Sequence, residues 1–219
     1  ELTCHVSALT PFTEQQTKLR VFKGDAVMYR YFVEQYDQLL TAKGLPDVFH
    51  HLIIAWNGGY KSIAFFAGSS VVTIVSGKKY PGWMDSDVDL FTNDPCLLPI
   101  IKELLSHLCE GFECVLISDD RLVVTERFTK RKVLDVICFP AMTSPSYLFQ
   151  KFDIKCCACS YDGRKLHVFD LELTMKGKSY WESTPLLGYH SYRSPEYQSA
   201  YKMARLLKYQ GRGWELIKK

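Results

Sequence analysis

Apolar residues recur along this chain at two periods, and the change from one to the other divides it. Over residues 25–42, Val27, Met28, Tyr31, Phe32, Tyr36, Leu39 and Leu40 return at the spacing of one helix face, and Gly44 and Pro46 close that helix. Residues 48–56 read as a second helix, ended by Asn57-Gly58-Gly59. Residues 63–67 are short, apolar and aromatic, and they enter a turn at Gly68-Ser69-Ser70 that leads into a helix over 71–75. Residues 77–83 form a loop rich in Gly, Pro and Lys, and 88–91 read as a strand. An amphipathic helix over 95–108 follows, through Leu97, Leu98, Ile101, Leu104, Leu105 and Leu108. Three β-like runs come next, at 112–117, 122–127 and 132–139. Ser144-Pro145 opens a short helix, with proline where its missing N–H costs least. Residues 154–160 alternate like a strand, and Asp162-Gly163 is a hairpin turn signal. Ser194-Pro195 opens a last helix that reaches about Tyr209 and stops at Gly211-Arg212-Gly213.

That order predicts an α/β (α+β) fold, a mixed central sheet flanked by helices with a mainly helical N-terminal part. With 219 residues the chain can build one substantial core. We expect residues 1–60 to pack as a helical segment on a core formed by 61–140, and 141–219 to complete the same domain with a hairpin and a helix. A content of 47% hydrophobic and 23% charged residues is globular and argues against a disordered chain. The net charge of +3 permits an anionic partner without demanding one. No apolar run has the length of a membrane span, and Glu1-Leu2-Thr3-Cys4-His5 lacks the basic start of a secretory signal. Together with eight cysteines, of which Cys138 and Cys157 fall in β-like runs and Cys109 in a helix-like one, this reads as free thiols in a reducing, cytoplasmic setting, with no membrane partner.

The chemistry concentrates in Asp85-Ser86-Asp87-Val88-Asp89-Leu90-Phe91. Residues two apart on a strand face one side, so Asp87 and Asp89 point together while Val88 and Leu90 enter the core. Adjacent carboxylates repel one another, and desolvation makes this worse. A hard dication with oxygen ligands relieves it. A second run, Val133-Leu134-Asp135-Val136-Ile137, carries one acid among apolar neighbours, costly unless that acid is paired or sits at a sheet end. Beside the first strand, Asp135 becomes the third carboxylate. Three such groups and a triphosphate can hold two Mg²⁺ or Mn²⁺ ions, one at the attacking hydroxyl and one at the leaving pyrophosphate. Upstream, Gly68 lets the backbone approach a phosphate, and the Ser69 hydroxyl and free N–H groups at a helix start can bind its oxygens.

This ordered set resembles the DNA polymerase β-like nucleotidyltransferase superfamily. Ala67-Gly68-Ser69 and Asp87-Val88-Asp89-Leu90 match its pattern residue by residue, and Asp135 matches its third acid. The interval from Ser69 to Asp87 is longer than that pattern has, which makes the loop at 77–83 an insertion. The resemblance implies transfer of a nucleoside monophosphate from an NTP, with Mg²⁺ or Mn²⁺, to a hydroxyl of an RNA 3′ end, a protein or a small molecule. It also implies that Asp87 and Asp89 hold both metals, that Asp135 binds the one nearer the acceptor and helps draw off its proton, and that Gly68 and Ser69 hold the β- and γ-phosphates. Phe152-Asp153-Ile154, Cys156-Cys157, Tyr161-Asp162-Gly163 and Lys208-Tyr209-x-x-Arg212-Gly213 are similar to uncharacterised proteins of large DNA viruses and fungi that carry such a core.

Plainer readings stand beside these. Asp87 and Asp89 can be surface acids at a strand end, Asp85 can belong to the pair, and Asp135 can be an ion-pair partner of Lys132 or Arg131. Gly68-Ser69 can be only a turn and cap. Lys78 and Lys79 can bind a triphosphate or an RNA backbone, or be solvated. Lys202, Arg205 and Lys208 share one face of the last helix, with Tyr197, Tyr201 and Leu206-Leu207 nearer the other, and the basic face touches either nucleic acid or water. Cys156-x-x-Cys159 with His167 is half a zinc site without a second ligand pair, and His50-His51 lacks the acid that metalloproteases place after it. A catalytically inactive binding module with the same fold is the functional alternative.

Overall fold

A computed structural model describes residues 19–45, 47–59, 62–182 and 193–219. Pro46, expected to help close the first helix, and the first residues, Cys4 included, lie outside the described residues. The centre is an eight-stranded mixed sheet. Its strands are β1 (Leu19–Phe22), β2 (Ala64–Ala67), β3 (Val88–Thr92), β4 (Phe112–Ser118), β5 (Arg121–Glu126), β6 (Lys132–Cys138), β7 (Cys159–Tyr161) and β8 (Leu166–Phe169). They lie in the order β1-β8-β7-β2-β3-β6-β5-β4. The pair β3–β6 is parallel and the other neighbours are antiparallel.

Seven helices surround the sheet: α1 (Val27–Ala42), α2 (Asp47–Trp56), α3 (Ser69–Ser76), α4 (Leu97–Leu108), α5 (Pro145–Lys151), α6 (Leu171–Lys176) and α7 (Pro195–Gly211) among the described residues. None is long and apolar enough to cross a membrane. The pleat sorts each central strand. Val88 and Leu90 of β3 and Leu134 and Val136 of β6 join Phe32, Tyr36, Phe49, Ile74 and Ile101 from four helices in the main core. On the opposite face, Phe65, Ala67 and Phe91 pack with Met142 and Leu148 in a smaller cluster, and this is the face that carries the acids.

Aromatic rings fix the helical layer to the sheet. Tyr36 lies 5.2 Å from Phe32, 5.2 Å from Phe66 and 5.6 Å from Tyr161, centroid to centroid, so one side chain joins α1 to β2 and β7. Each such fully buried ring contributes about 1.5–3 kcal/mol by removal from water. Every residue of α3 is buried, which explains its run of Val, Ile and small polar residues without a charge. The hairpin expected at Asp162-Gly163 joins β7 to β8. Asp162 Oδ1 accepts from the N–H groups of Arg164 and Lys165, and Gly163 takes φ +87°.

Four elements are absent from the sequence reading: β1, α6, and the parallel pair β9 (Lys178–Trp181) and β10 (Glu215–Lys218). All are short. Residues 154–160 also depart from it. Instead of a continuous strand, Lys155–Cys157 makes a 3-10 turn before β7. Cys156, Cys157 and Cys159 are all buried, so this segment has no polar face to hold an alternating register. The described cysteines are free.

Asn57 anchors the entry to β2. Its amide nitrogen donates to the carbonyls of Ile53, Ala64 and Asp162 at 3.0, 2.6 and 3.0 Å, and its oxygen accepts from Ala64 N at 2.7 Å. Asn57→Ala therefore strands several buried backbone groups. The expected loss is about 2–3 kcal/mol, read as a lower urea midpoint with an unchanged slope.

Candidate functional site

The acids meet because two strands run parallel and in step. In the β3–β6 ladder Asp89 lies opposite Asp135. Opposite residues share a sheet face, and Asp87, two residues before Asp89, falls on it too. One carboxylate oxygen from each of Asp87, Asp89 and Asp135 lies within 4.8 Å of the others. They sit in a cleft of about 520 Å³, a size suited to a small-molecule ligand.

Burial and crowding divide the proton affinities. Burial, reinforced by the charges of Asp87 and Asp135, pushes the Asp89 carboxyl up to about 8. Burial would also raise Asp135, but a two-point hydrogen bond from Arg121 and the charge of Lys132 outweigh it and hold Asp135 below the usual carboxylate range. Arg121 Nε and Nη2 donate to the two Asp135 oxygens at 3.0 and 2.7 Å. Lys132 Nζ lies 2.9 Å from Asp135 and also pairs with Asp87. These two cations favour the anionic form of Asp135.

The turn after β2 completes the floor. Gly68 takes φ +83° and ψ −149°, a region open essentially to glycine alone. A Cβ there would meet Asp89 Oδ2 at 2.7 Å. Gly68 therefore brings the start of α3 against the acid cluster, and the first N–H groups of that helix have no intrahelical acceptor. Gly68 and Ser69 both line the cleft. Three carboxylates at this spacing offer the hard oxygen donors that suit a divalent cation of the Mg²⁺ or Mn²⁺ kind.

The opposite wall comes from α7. Tyr201, Arg205 and Lys208 line the cleft, and Arg205 Nη2 is held 3.0 Å from the buried Asp153. Further along the same sheet face, Phe91, Phe139 and Phe152 give the cleft an aromatic end. Of the residues singled out from sequence, Asp87, Asp89, Asp135, Gly68 and Ser69 come together. Lys78 and Lys79 do not. Lys78 Nζ donates to the Gly213 carbonyl at 2.8 Å, and Lys79 Nζ to Gln35 Oε1 at 2.6 Å, so both side chains are spent outside the cleft. Asp85 is also outside the cluster; it pairs with Arg131, which also holds Glu126. Asp135 pairs with Lys132, one of the two partners considered, and with Arg121, which was not. The missed signal is register. Val123 lies opposite Asp135, which places Arg121 two residues along on the same face. Among the described residues the three aspartates form the group able to hold a metal; Cys156, Cys159 and His167 do not form one.

Residues 40–178 match the model of Gad2, described as the Gabija anti-defense 2 family protein. No curated protein sequence matches the chain. Among solved structures it is similar to the Thermotoga maritima CCA-adding enzyme complexed with tRNA, at 12% identity and TM-score 0.51 over 83% of this chain and 42% of that one. It is also similar to the Bacillus stearothermophilus CCA-adding enzyme in complex with CTP, at 17% identity and TM-score 0.46 over 75% and 39%. The chain spans less than half the length of these enzymes. At this identity the Thermotoga likeness establishes the fold, which is nucleotidyltransferase-like.

Two outcomes follow from the geometry. Without a cation, the raised Asp89 carboxyl binds a proton in the folded state that the unfolded chain releases near pH 4, so stability falls as pH rises from about 4 through about 8. Asp89→Asn should remove that slope and raise the midpoint of thermal unfolding by a few degrees at pH 8 in chelator. Gly68→Ala should cost about 1–3 kcal/mol of stability and displace the Asp89 carboxylate, seen as weakened Mn²⁺ binding by calorimetry.

Proposed function

We propose that this chain, which belongs to the Gabija anti-defense 2 family, is a metal-dependent nucleotidyltransferase that moves a nucleoside monophosphate from an NTP to an acceptor hydroxyl. The observation that carries this reading is the convergence of Asp87, Asp89 and Asp135 beside the Gly68-Ser69 turn in a nucleotidyltransferase-like fold. A bound Mg²⁺ or Mn²⁺ would supply Lewis acidity at the α-phosphate and at the entering and leaving oxygens.

The chain's own groups do the rest. Asp87 and Asp89 would hold the cation together with Asp135, whose anionic form Arg121 and Lys132 favour. Gly68, Ser69 and the opening N–H groups of α3 receive the β- and γ-phosphate oxygens. Lys132, Arg205 and Lys208 bring positive charge to the cleft. These are the cations we assign to the triphosphate, in the place expected for Lys78 and Lys79. The acceptor oxygen bonds to the α-phosphorus, the bond from that phosphorus to the bridging oxygen breaks, and pyrophosphate leaves with the electron pair. The hydroxyl proton passes to water in the cleft. We assign this transfer as the chemistry by which the chain acts against Gabija defence.

One observation favours a second reading, a catalytically inactive module of the same fold. Lys132 bridges Asp87 and Asp135, so part of the acid cluster is neutralised from within. The two readings separate in one assay. With α-labelled NTPs and Mn²⁺, wild type should transfer label to an acceptor, and the Asp87→Ala/Asp89→Ala variant should lose at least a thousandfold of that rate, about 4 kcal/mol of barrier. Equal labelling by both proteins, or no Mn²⁺ or ATP affinity with the acids intact, decides for the inactive module.

A further inference from the structure

The loop that leads to Asp87 and the end of α7 share a set of contacts that the transfer chemistry does not use. The inserted residues 77–83 continue through Ser86 straight into Asp87. Arg212 caps α7, its backbone N–H bonded to the carbonyls of Lys208 and Tyr209. Its guanidinium lies 4.1 Å from the ring centroid of Tyr80, in the loop, and 5.5 Å from that of Tyr209, on the helix. Arg212 Nη2 donates to Ser86 Oγ at 3.1 Å, and Ser86 Oγ is also hydrogen-bonded to the Tyr80 hydroxyl. Arg212 Nη1 is buried with no hydrogen-bond acceptor among the described residues. Two rings and a neutral hydroxyl thus hold this cation. A second tie runs beside the first, from Lys78 Nζ to the Gly213 carbonyl at 2.8 Å. Tyr209 is anchored in turn, since its hydroxyl accepts from Cys157 Sγ at 2.9 Å.

We infer that Arg212 is a positioning residue, which clasps the loop of residues 77–86 to the end of α7 and through Ser86 sets Asp87 for its cation. The inference rests on the nucleotidyltransferase reading for the cation, and it names a residue outside the cleft that places one of its ligands. A guanidinium can cover a ring with its flat face while its edge donates in plane, so one side chain fixes both Tyr80 and Ser86. Ser86 is the residue before Asp87, and a small hard dication tolerates little error in where its carboxylates stand. The same helix carries Lys208 into the cleft. Docking of α7 and placement of Asp87 therefore become one event, and Tyr209, Arg212 and Gly213 of the Lys208-Tyr209-x-x-Arg212-Gly213 run each take part. Charge alone would work in the opposite direction. Burial and the Arg212 charge hold the Lys208 ammonium below its usual range, while Asp87 and Asp89 act the other way. Arg212 thus stands as a further positive charge near the acids, and by electrostatics its removal would tighten cation binding.

The sign of the effect is the test. Calorimetry measures Mn²⁺ binding to the whole chain without NTP, for wild type, Arg212→Ala, Ser86→Ala and the double variant, with circular dichroism to check each fold. Arg212→Ala should weaken Mn²⁺ binding about tenfold, the lower end of what one hydrogen bond from a charged group is worth. Ser86→Ala should weaken it by a similar factor, and the double variant should lose no more than either alone, because both remove one contact. Arg212→Lys keeps the charge but cannot stack and donate at once, so it should not restore the affinity. Unchanged or tighter Mn²⁺ binding in folded Arg212→Ala, losses that add in the double variant, or full affinity in Arg212→Lys overturns the inference. Limited trypsin digestion reads the clasp with no metal present. Cleavage after Lys78 or Lys79 should be faster in Arg212→Ala than in wild type, since an unclasped loop opens to the protease. If wild type binds no Mn²⁺, the transferase reading falls. Faster cleavage in Arg212→Ala then leaves the clasp standing and removes its role at the cation, whereas equal cleavage overturns the inference outright.

Discussion

The central constraint is repulsion between carboxylates that the fold forces together. Parallel, in-register pairing of β3 with β6 sets Asp89 opposite Asp135, and the strand period adds Asp87. In a half-buried cleft that arrangement is unfavourable unless positive charge enters it. The chain supplies part of that charge itself. Arg121 grips Asp135 with two hydrogen bonds, and Lys132 spans Asp135 and Asp87. Asp89 has no such partner among the pairs that hold its neighbours, and it is the group whose carboxyl is pushed upward. The site is therefore neutralised on the Asp135 side and electrostatically unfinished at Asp89, next to the Gly68 turn.

Much of the rest of the fold can be understood as holding that geometry. α3 is buried on every side, so its first turn cannot drift from the acids. Gly68 alone fits the space between that turn and Asp89. Lys43 at the end of α1 reaches across to the Met84 carbonyl at 2.7 Å and steadies the loop that delivers Asp87. α7 closes the cleft from above and contributes its cations, with Arg205 fixed by Asp153. Sheet, turn and closing helix thus act on one small volume, and each does so through a named contact.

The sequence made the acid strands legible because the signal was local. A two-residue alternation in 87–91 and a lone acid in an apolar run at 132–138 need no partner to be recognised. Gly68-Ser69 was readable for the same reason. The lysines of the 77–83 loop were not. Lys78 and Lys79 stand close to the acids in sequence, yet the loop carries them to the Gly213 carbonyl and to Gln35. Of the cations that line the cleft, Arg121 arrives by strand register, and Arg205 and Lys208 by the docking of a helix far along the sequence. Short elements such as β1 and β9 take their existence from partners, Leu19–Phe22 on β8 and Lys178–Trp181 on β10, and so leave little trace in periodicity.

The proposed transfer requires a cation that joins all three aspartates. Anomalous diffraction from crystals soaked in Mn²⁺ with a non-hydrolysable NTP measures this directly. The predicted result is a manganese peak within bonding distance of Asp87, Asp89 and Asp135, with the Lys132 ammonium moved off Asp87 and the triphosphate against Gly68 and Ser69. A cleft without a peak, with Lys132 still bridging Asp87 and Asp135 while manganese binds elsewhere, would contradict it.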